Sequence, residues 1–539
     1  MADPKENVQM EKIVSLCKRR GFVFQSSEIY GGINGFWDYG PLGAELKRNV
    51  KDLWWHAMTR QREDVVGLEA TIIMSPAIWK ASGHVDTFSD PMIDCKTCKG
   101  RFRADQTDEI PCPQKPSKCV NECHGEKTPP RAFNLMFQTY VGPVQDDSAV
   151  AYLRPETAQA IFAQFKNVEA TARQKVPFGI AQMGKAFRNE VTPRNFTFRS
   201  REFEQMELEF FIKPDEAIEA IHGSVATVPT TGHPGEPQPN WGWQAWHQYW
   251  VEERVRFYEG IGLDRRTLAF HRQTPEELAH YARACVDILF KFPFSKRDEA
   301  GELKGEELEG IAARSDFDLS QHARFSGKPM GVFDDELRAA WGKLPKEKAD
   351  DLWRRYYDNR KGYLERTGVA PEAAAKQATD DANGLAKGQY VPHVIEPSAG
   401  VDRLILALIA NAYNETSKTD EKGKTETNVV LRFHPRVAPI KVGVLPLLKN
   451  KPELVAKALA VRDLLRPWMN VYYDDGGSIG RRYARQDEAG TPFCVTIDFD
   501  TLGEKPELLD TVTLRHRDDG RQERLAIGEL VNWLLPQIR

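Results

Sequence analysis

One stretch of the chain, RNEVTPRNFTFRSREFEQMELEFF at residues 188–211, concentrates opposite charges around aromatic rings. Its main charged residues are Arg188, Arg194, Arg199, Arg201, Glu190, Glu202, Glu204, Glu207 and Glu209. Guanidinium groups bind phosphates through paired hydrogen bonds, an aromatic ring can stack on a nucleobase, and carboxylates bind amines or Mg²⁺. The stretch therefore has the side chains of a nucleotide site. The alternative is an exposed hairpin with weak cross-strand ion pairs.

Alternation along this stretch predicts two antiparallel strands joined by the turn VTPRN. In the first strand, FGIAQMGKAFRNE, Arg188 and Glu190 share a face. In the second, FRSREFEQMELEFF, Phe203 and Glu207 share a face opposite Met206. The same alternation places Arg199 and Arg201 with Phe203, and Glu202 and Glu204 on the other side. An aromatic ring within a polar face favours a ligand site over an exposed hairpin.

Nucleotide binding would have to depend on side chains carried by a sheet. The sequence contains neither GxxxxGKS nor GxxxxGKT, and its glycine-rich stretches do not fit a Rossmann fingerprint. The net charge of -4 means that a nucleic-acid partner would need a local basic surface. The charged N-terminus has no signal-peptide pattern, and the longest apolar run, LILALIANAY, is too short for a bilayer. We therefore expect a soluble cytoplasmic protein that does not bind membranes.

The 539-residue length predicts more than one domain. The polar segment 417–428 has the composition of a linker. Before it, residues 1–420 mix helical stretches with charged, aromatic strands, which predicts an α+β domain on an antiparallel sheet, with insertions near 222–244 and 320–388. After it, residues 429–539 alternate buried strands with amphipathic helices, which predicts a smaller α/β domain with a mostly parallel sheet.

Five of the eight cysteines lie in a cysteine-rich loop, residues 95–124. In a reducing compartment such clustering indicates metal rather than disulfides. The CxxC and Cys-x3-Cys spacings predict a structural Zn²⁺ site with the ligands Cys95, Cys98, Cys119 and Cys123. Cys112 is the substitute ligand, and His124 adds a further candidate. The alternative is a loop of free thiols.

Three separated segments resemble the signature motifs of class II aminoacyl-tRNA synthetases. DYGPLGAELKRNVKDLWW at 38–55 resembles motif 1, FRNEVTPRNFTFRSREFEQMELEFF resembles motif 2, and EPSAGVDRLILAL at 396–408 resembles motif 3. Further blocks, among them GGINGFWDYGPLG, AYLRPETAQ and ARSDFDL, resemble the homodimeric glycyl-tRNA synthetase family in its own order. The resemblance implies a homodimer that uses glycine, ATP, Mg²⁺ and tRNA(Gly), with an anticodon-binding domain at 429–539.

The resemblance also implies roles for particular residues. Arg188 would bind the α-phosphate and the glycine carboxylate, and Arg403 would cover adenine opposite Phe203 or reach the γ-phosphate. Glu307 would bind Mg²⁺, although in the acidic run GEELEG it could equally be a solvated carboxylate. The full set expected at ATP is Arg188, Asn189, Glu190, Phe198, Arg199, Ser200, Arg201, Glu202, Phe203, Glu307, Leu308, Gly400, Val401, Asp402 and Arg403, with Arg188 and Arg403 as catalytic residues.

The glycine site implied by the resemblance is rich in carboxylates, which suit a substrate ammonium. Its expected residues are Arg103, Glu156, Phe203, Glu204, Gln205, Met206, Glu207, Arg314, Glu396, Pro397, Ser398, Ala399 and Gly400. Two other functions remain open. One is a non-catalytic relative that only binds RNA, and the other is a ligase that forms an adenylate without charging tRNA.

Overall fold

The computed structural model describes residues 4–108, 110–229, 231–279, 281–419 and 425–539. The helices are α1 Pro4–Arg20, α2 Pro41–Trp55, α3 Pro76–Ala81, α4 His84–Thr87, α5 Ala158–Ala172, α6 Asp215–His222, α7 Trp243–Gly260, α8 Phe317–Ser326, α9 Asp335–Trp341, α10 Lys346–Arg366, α11 Pro371–Leu385, α12 Val401–Ala412, α13 Pro452–Leu465, α14 Ile479–Ala489 and α15 Leu530–Ile538.

The first strands are β1 Val23–Gln25, β2 Trp37–Tyr39, β3 Val65–Gly67, β4 Ile73–Met74, β5 Ser89–Asp94, β6 Arg101–Arg103, β7 Pro111–Cys112, β8 Lys115–Cys119, β9 Arg131–Asn134, β10 Gln138–Tyr140, β11 Val150–Leu153, β12 Phe178–Phe187 and β13 Glu202–Ile212. They are followed by β14 Leu268–Arg272, β15 Ala284–Phe290, β16 Glu306–Ser315, β17 Val332–Phe333, β18 Gln389–Tyr390, β19 His393–Gly400, β20 Tyr413–Thr419, β21 Thr425–Leu431, β22 Val442–Pro446, β23 Val471–Tyr473, β24 Phe493–Ile497, β25 Thr511–His516 and β26 Gln522–Ala526.

A seven-stranded sheet forms the centre of the larger part of the chain. Its order is β14-β15-β16-β19-β13-β12-β3, and every neighbouring pair is antiparallel except β12 with β3. The register pairs Gln182 with Glu207, and Glu207 with Ser398. Because directly opposite residues on paired strands share a face, three adjacent strands bring polar side chains to one surface. The predicted antiparallel α+β sheet is confirmed.

Helix α2 supports this sheet from the opposite face. Pro41 occupies its first turn, where a missing N–H is tolerated, and Leu46, Val50 and Trp54 recur at four-residue intervals on the buried side. These side chains join a core that includes Met206 and other apolar residues of β13. The amphipathic pattern thus fixes which face of β13 is apolar and leaves the other face for polar groups.

The C-terminal sheet has the order β23-β22-β24-β25-β26 and is mixed. Strands β23, β22 and β24 are parallel, whereas β25 and β26 continue antiparallel. The predicted α/β class is confirmed, but the sheet is not mostly parallel, because Gln522–Ala526 forms β26 and pairs antiparallel with β25.

The predicted linker at 417–428 is wrong for its described residues. Strands β20 and β21 pair antiparallel from Tyr413 with Leu431 to Thr419 with Thr425, so this polar segment is a hairpin. Lys12 of α1 donates to Glu415 at 2.9 Å and ties the hairpin to the N-terminal helix. Polar composition is compatible with paired strands as well as with a linker, which is why composition alone did not separate the two.

The two predicted insertions have different structures. Described residues between α6 and α7 form a loop, in agreement with the prediction for 222–244. The block 320–388 is helical, as its composition indicates, with α10 packed against α11. No helix within the described ranges is both long and apolar enough to span a membrane.

Candidate active site

A cavity opens on the polar face where β12, β13 and β19 end. It is lined by Arg188, Glu190, Thr197, Phe198, Arg199, Ser200, Phe203, Gln205, Glu307, Leu308, Ser398, Gly400, Asp402 and Arg403. Eleven of these residues belong to the set predicted for ATP. The structure therefore brings together side chains that are separated by more than two hundred residues in the sequence.

Arg188 projects its guanidinium between two aromatic rings. The group lies 5.5 Å from the ring centre of Phe88 and 5.4 Å from that of Phe203. Nε donates to the backbone oxygen of Pro155 at 3.0 Å, which fixes the orientation of the fork. Within the described part of the chain this guanidinium makes no ion pair with a carboxylate. A positioned cation of this kind can bind an anionic ligand without first breaking an ion pair.

Arg403 lies on the other side of the cavity. Its guanidinium stacks 4.6 Å from the ring centre of Phe198, and Nη1 lies 3.1 Å from a carboxylate oxygen of Glu307. It lies in the first turn of α12, which begins at Val401 directly after Gly400, so the junction of β19 and α12 places it at the cavity. The predicted stacking role relative to adenine and the predicted Mg²⁺ role of Glu307 concern ligands and stay predictions.

Alternation predicted that the charged residues between β12 and β13 lie on the strands. They lie in the connection instead, because β12 ends before them and β13 begins after them. Arg199 donates to a Glu190 carboxylate oxygen at 2.8 Å. Arg201 donates to the backbone oxygens of Glu190 at 3.0 Å and Asn34 at 2.9 Å, and it does not line the cavity. Asn189 likewise contributes a backbone N–H to Leu135 rather than a side chain to the cavity.

Several residues of the predicted set face away from the cavity because alternate residues of a strand point to opposite sides. Glu204 pairs with Lys47 at 3.1 Å and also with Lys51, and Glu202 pairs with Lys185 at 2.6 Å. Met206, Ala399 and Val401 are buried in the apolar core behind the sheet, and Pro397, next to Glu396 on β19, is also buried. Their predicted contacts with ATP or glycine could be made only through the backbone.

Asp402 touches the cavity, but its carboxylate is already engaged. Tyr39 donates to it at 2.6 Å, Lys47 at 2.8 Å and the backbone N–H of Glu204 at 2.7 Å. The Lys47 charge and these hydrogen bonds outweigh burial and hold the pKa of Asp402 below its usual value. This network connects α2, β13 and α12, and it positions the helix that carries Arg403.

A buried acidic cluster adjoins the cavity through Gln205 and Ser398. Ser398 donates to Glu207 at 2.6 Å, Gln205 donates to the same oxygen at 3.0 Å, and Thr157 donates to the other oxygen. Glu156 lies 3.3 Å from the His84 ring. Glu156, Glu207, Gln205 and Ser398 belong to the set predicted for glycine, and Glu207 lies on the same sheet face as Phe203; their contact with glycine stays a prediction.

One guanidinium serves the inner part of this cluster. Arg314 donates to Asp318 through Nε at 2.9 Å and through Nη2 at 3.0 Å, and its remaining nitrogen pairs with Glu396. It also stacks 4.1 Å from the ring centre of Tyr281. Burial and the charges of Glu207 and Glu156 raise the pKa of Glu396 to about 8 despite this pairing. A carboxyl group with a raised pKa gives up its proton more readily when a cation binds beside it.

The other two carboxyl groups respond differently. Burial and the Glu156 charge raise the pKa of Glu207, against the hydrogen bonds from Ser398 and Thr157. Burial would also raise the pKa of Glu156, but His84, Arg314 and Arg188 lower it below the usual value. Neighbouring carboxyl groups with such different proton affinities are typical of a site for a charged ligand.

Asp318, Thr157 and His84 were missed by the sequence reasoning. Asp318 falls four residues after Arg314 in the block ARSDFDL, and that spacing was the available signal. Thr157 stands next to the predicted Glu156. His84 comes from α4, and no sequence pattern connects it to Glu156.

Arg103 lies apart from the acidic cluster. Its guanidinium pairs with Asp90 at 2.9 Å and Asp105 at 2.7 Å, on β6 next to β5. The hydrogen bond to Asp105 and the charges of Asp90, Asp105 and Glu190 raise the pKa of Arg103.

The cysteine-rich loop brings its thiols together in two pairs. Interaction with the backbone and thiol of Cys98 lowers the pKa of Cys95, and interaction with the Cys123 thiol lowers the pKa of Cys112. Cys119 is held through its backbone instead. It pairs with Pro111 of β7, and its N–H donates to a carboxylate oxygen of Glu122 at 3.0 Å. The pairing favours the substitute Cys112 over Cys119. Over the described ranges, no three histidine, cysteine or acidic side chains stand in an arrangement that could hold a metal ion.

Comparison with known families agrees with this architecture. Residues 140–231 match the tRNA synthetase class II core domain (G, H, P, S and T), and residues 441–537 match the anticodon binding domain. The antiparallel sheet, its polar face and these two matches define a class II aminoacyl-tRNA synthetase.

Full-length relatives narrow the class further. The chain is 43% identical to a glycine–tRNA ligase of Thermobifida fusca over 98% of both chains, and 43% identical to one of Treponema denticola over 99% of this chain and 98% of the relative. A glycine–tRNA ligase of Thermus thermophilus is 41% identical, over 98% and 99%. The chain belongs to the glycine–tRNA ligase family.

Proposed function

We propose that the chain activates glycine with ATP to glycyl-adenylate and then transfers glycine to the 3' end of tRNA(Gly). The observation that carries this proposal is the continuity of the two sites. The cavity with Arg188, Phe203 and Arg403 meets the acidic cluster at Gln205 and Ser398, so a nucleotide and an amino acid could lie side by side on one sheet face. The family membership supports the same activity.

The first step requires positioning and charge stabilisation rather than a protein nucleophile. An oxygen of the glycine carboxylate forms a bond to the α-phosphorus, and the bond to the pyrophosphate oxygen breaks. Arg188, held by Pro155 between Phe88 and Phe203, would contact both the carboxylate and the α-phosphate and stabilise the charge that develops there. No proton has to be removed, since glycine enters as a carboxylate.

The remaining nucleotide contacts follow from the cavity lining. Phe203 would stack on adenine, and Arg403 on its opposite face or at the γ-phosphate, a planar contact that lysine could not replace. Arg199 would contact the triphosphate. Glu307, whose carboxylate is more than half exposed beside Arg403, would bind Mg²⁺, which would neutralise phosphate charge.

The acidic cluster would select the amino acid. Glu156, Glu207 and Glu396 would bind the substrate ammonium, assisted by the Ser398 hydroxyl. Every competing amino acid is larger than glycine, so a filled pocket rejects it by steric clash and needs no editing site. Arg314 would set the orientation of Glu396 through the ion pair between them.

We further propose two functional domains, residues 1–420 for catalysis and 429–539 for binding the anticodon. The match of 441–537 to an anticodon-binding family supports the second. The hairpin β20–β21 replaces the expected linker between them. Unstacked anticodon bases are the usual targets of such domains.

A homodimer is proposed from the motif 1 resemblance and from exposed apolar side chains near it. Ile29 and Tyr30, just before β2 and α2, are 88% and 87% exposed. Large contiguous exposed apolar patches mark interaction sites, and these two neighbouring side chains would form part of one. We also propose that the enzyme acts in the cytoplasm, where translation requires it.

A structural Zn²⁺ in the cysteine-rich loop is a separate proposal. Thiolates are suitable donors, and Cys95, Cys98, Cys112 and Cys123 would have to move closer together to hold the ion, because the described side chains do not stand in a metal-binding arrangement. Its role would be to order the loop next to β6, which carries Arg103. Metal analysis of the purified chain, before and after a zinc chelator, tests the proposal, and the absence of zinc from freshly purified chain would contradict it.

The function is tested by charging total tRNA with each amino acid in turn. Glycine should be esterified to tRNA(Gly) and no other amino acid to any tRNA. Adenylate formation without charging would favour a ligase that does not use tRNA, and RNA binding without either reaction would favour a non-catalytic relative.

A further inference from the structure

Glu209 is a fully buried glutamate without a partner at the edge of the acidic cluster. Its side chain is 0% exposed, and neither carboxyl oxygen has a hydrogen-bond partner within the described ranges. It follows Glu207 by two residues on β13 and therefore lies on the same face. No role for Glu209 follows from the sequence pattern, and the proposed reaction does not use it.

The strand register places Glu209 opposite Glu396. Glu207 pairs with Ser398 and Phe210 with Ile395, so the position between them aligns Glu209 with Glu396. Directly opposite residues on antiparallel strands have Cβ atoms about 4.5–5.5 Å apart, which lets two glutamate side chains reach each other. On its other side Glu209 faces Ile180, an apolar residue of β12 that offers no hydrogen bond.

The side chains around Glu209 carry more negative than positive charge even before the Glu209 carboxyl group is counted. Within hydrogen-bond reach the inner cluster contains one guanidinium, Arg314, which is fully used by Asp318 and Glu396. A further buried carboxylate would have no cation to compensate it, and buried charges without a partner are strongly disfavoured. The neutral acid avoids this penalty. Burial and the charge of Glu396 accordingly raise the pKa of Glu209 well above its usual value.

We propose that Glu209 is a positioning residue of the glycine site: its carboxyl group keeps its proton and, by turning towards β19, donates it in a hydrogen bond to Glu396. Glu396 then receives one hydrogen bond from Arg314 and one from Glu209, which fixes the carboxylate that meets the substrate ammonium. A protonated carboxyl group is a donor, whereas an ionised one can only accept. This inference rests on the proposed glycine site and adds Glu209 to it as the group that orients Glu396.

The test compares two variants of Glu209 by steady-state ATP–pyrophosphate exchange in the full chain. Glu209→Gln keeps a neutral donor of the same shape, and its KM for glycine should stay within about threefold of wild type. Glu209→Met keeps the volume but cannot donate, and the loss of one hydrogen bond to a charged group should raise KM for glycine about tenfold or more. The KM for ATP should not change in either variant.

The pH profile of kcat/KM for glycine separates positioning from packing. Without the Glu209 donor the ionised form of Glu396 is less stable, so the acid limb should move to higher pH in Glu209→Met and stay in place in Glu209→Gln. The charged and titratable groups that face this pair are Glu156, Glu207, Arg314 and Asp318, with His84 and Tyr281 bordering them. They are unchanged in both variants.

Two controls make the outcomes decisive. Leu208→Met alters a buried position on the opposite face of the same strand and should leave both KM values unchanged. Glu207→Gln should raise KM for glycine; if it does not, the proposed glycine site itself is wrong. If Glu207→Gln behaves as expected, a wild-type KM in Glu209→Met, or an equal defect in Glu209→Gln, overturns the Glu209 proposal only. Should Glu209→Met fail to fold, a shifted acid limb in Glu209→Gln would overturn it.

Discussion

At the scale of single residues, the site depends on which charges are already paired and which are left for ligands. Arg199 and Glu190 pair with each other, whereas Arg188 is fixed by a backbone oxygen and two aromatic rings. A cation held in this way contributes most when charge develops on the transferred group, because it does not have to reorganise during the reaction.

Replacement of Arg188 by alanine should lower the rate of glycyl-adenylate formation by about 10²-fold or more, since one preorganised donor at a reacting centre has an effect of this size. Rapid-quench measurement of adenylate formation gives the rate. Binding of tRNA(Gly), measured by filter retention, should be nearly unchanged. An adenylation rate within a few fold of wild type would contradict the role given to Arg188.

The acidic cluster, as the proposed glycine site, should make glycine binding dependent on pH. Glu396, with a pKa raised to about 8, holds its proton more tightly in the folded protein than in the unfolded chain, so its ionisation opposes folding as pH rises from about 4.5 to 8. The substrate ammonium needs the ionised form. The KM for glycine should therefore fall as pH rises from 6 to 8, by at most about tenfold per unit for one proton. A KM for glycine that stays constant from pH 6 to 8 in the exchange assay would contradict the role proposed for this cluster. The KM for ATP serves as the comparison.

At the scale of elements, a buried network connects α2, β13 and α12 behind the cavity. Lys47 lies between Asp402 at 2.8 Å and Glu204 at 3.1 Å, and all three are less than a tenth exposed. Without the Lys47 cation, two buried carboxylates would lose their partner, which would lower the free energy of unfolding. The network therefore couples the stability of the sheet to the placement of Arg403.

Lys47→Met should lower the free energy of unfolding by about 3 kcal/mol, because it leaves buried carboxylates without their cation. Denaturant unfolding followed by tryptophan fluorescence measures the change, with Trp54 of α2 as a buried reporter. Tyr39→Phe removes one neutral donor to Asp402 and should cost only about 1 kcal/mol. Equal small losses in both variants would show that the network does not stabilise the fold.

Much of the fold followed from local patterns, and the failures have physical causes. Alternation located β12 and β13 and separated Phe203 from Met206 correctly, because one face of this pair is buried. It could not find where the strands end, so Arg199 and Arg201 were placed on a strand that starts only at Glu202. Contacts between distant segments, such as His84 with Glu156, leave no periodic signal in the sequence.

At the scale of the whole molecule, the proposed dimer should depend on the exposed apolar residues that precede α2. The double variant Ile29→Asp with Tyr30→Asp should shift the mass measured by light scattering from dimer to monomer, since charges in an apolar interface are strongly disfavoured. Leu509→Asp, at a position 55% exposed in the C-terminal part, is the matched control and should leave the mass unchanged. A dimeric double variant would place the interface elsewhere.

The two sites of the sheet face must work together for the enzyme to act, and one measurement tests this most directly. ATP–pyrophosphate exchange should be stimulated by glycine and not by alanine, and Glu207→Gln should reduce the glycine-dependent rate by raising KM for glycine. Exchange that is absent, that alanine supports as well as glycine does, or that Glu207→Gln leaves unchanged would contradict the assignment of the acidic cluster as the glycine site.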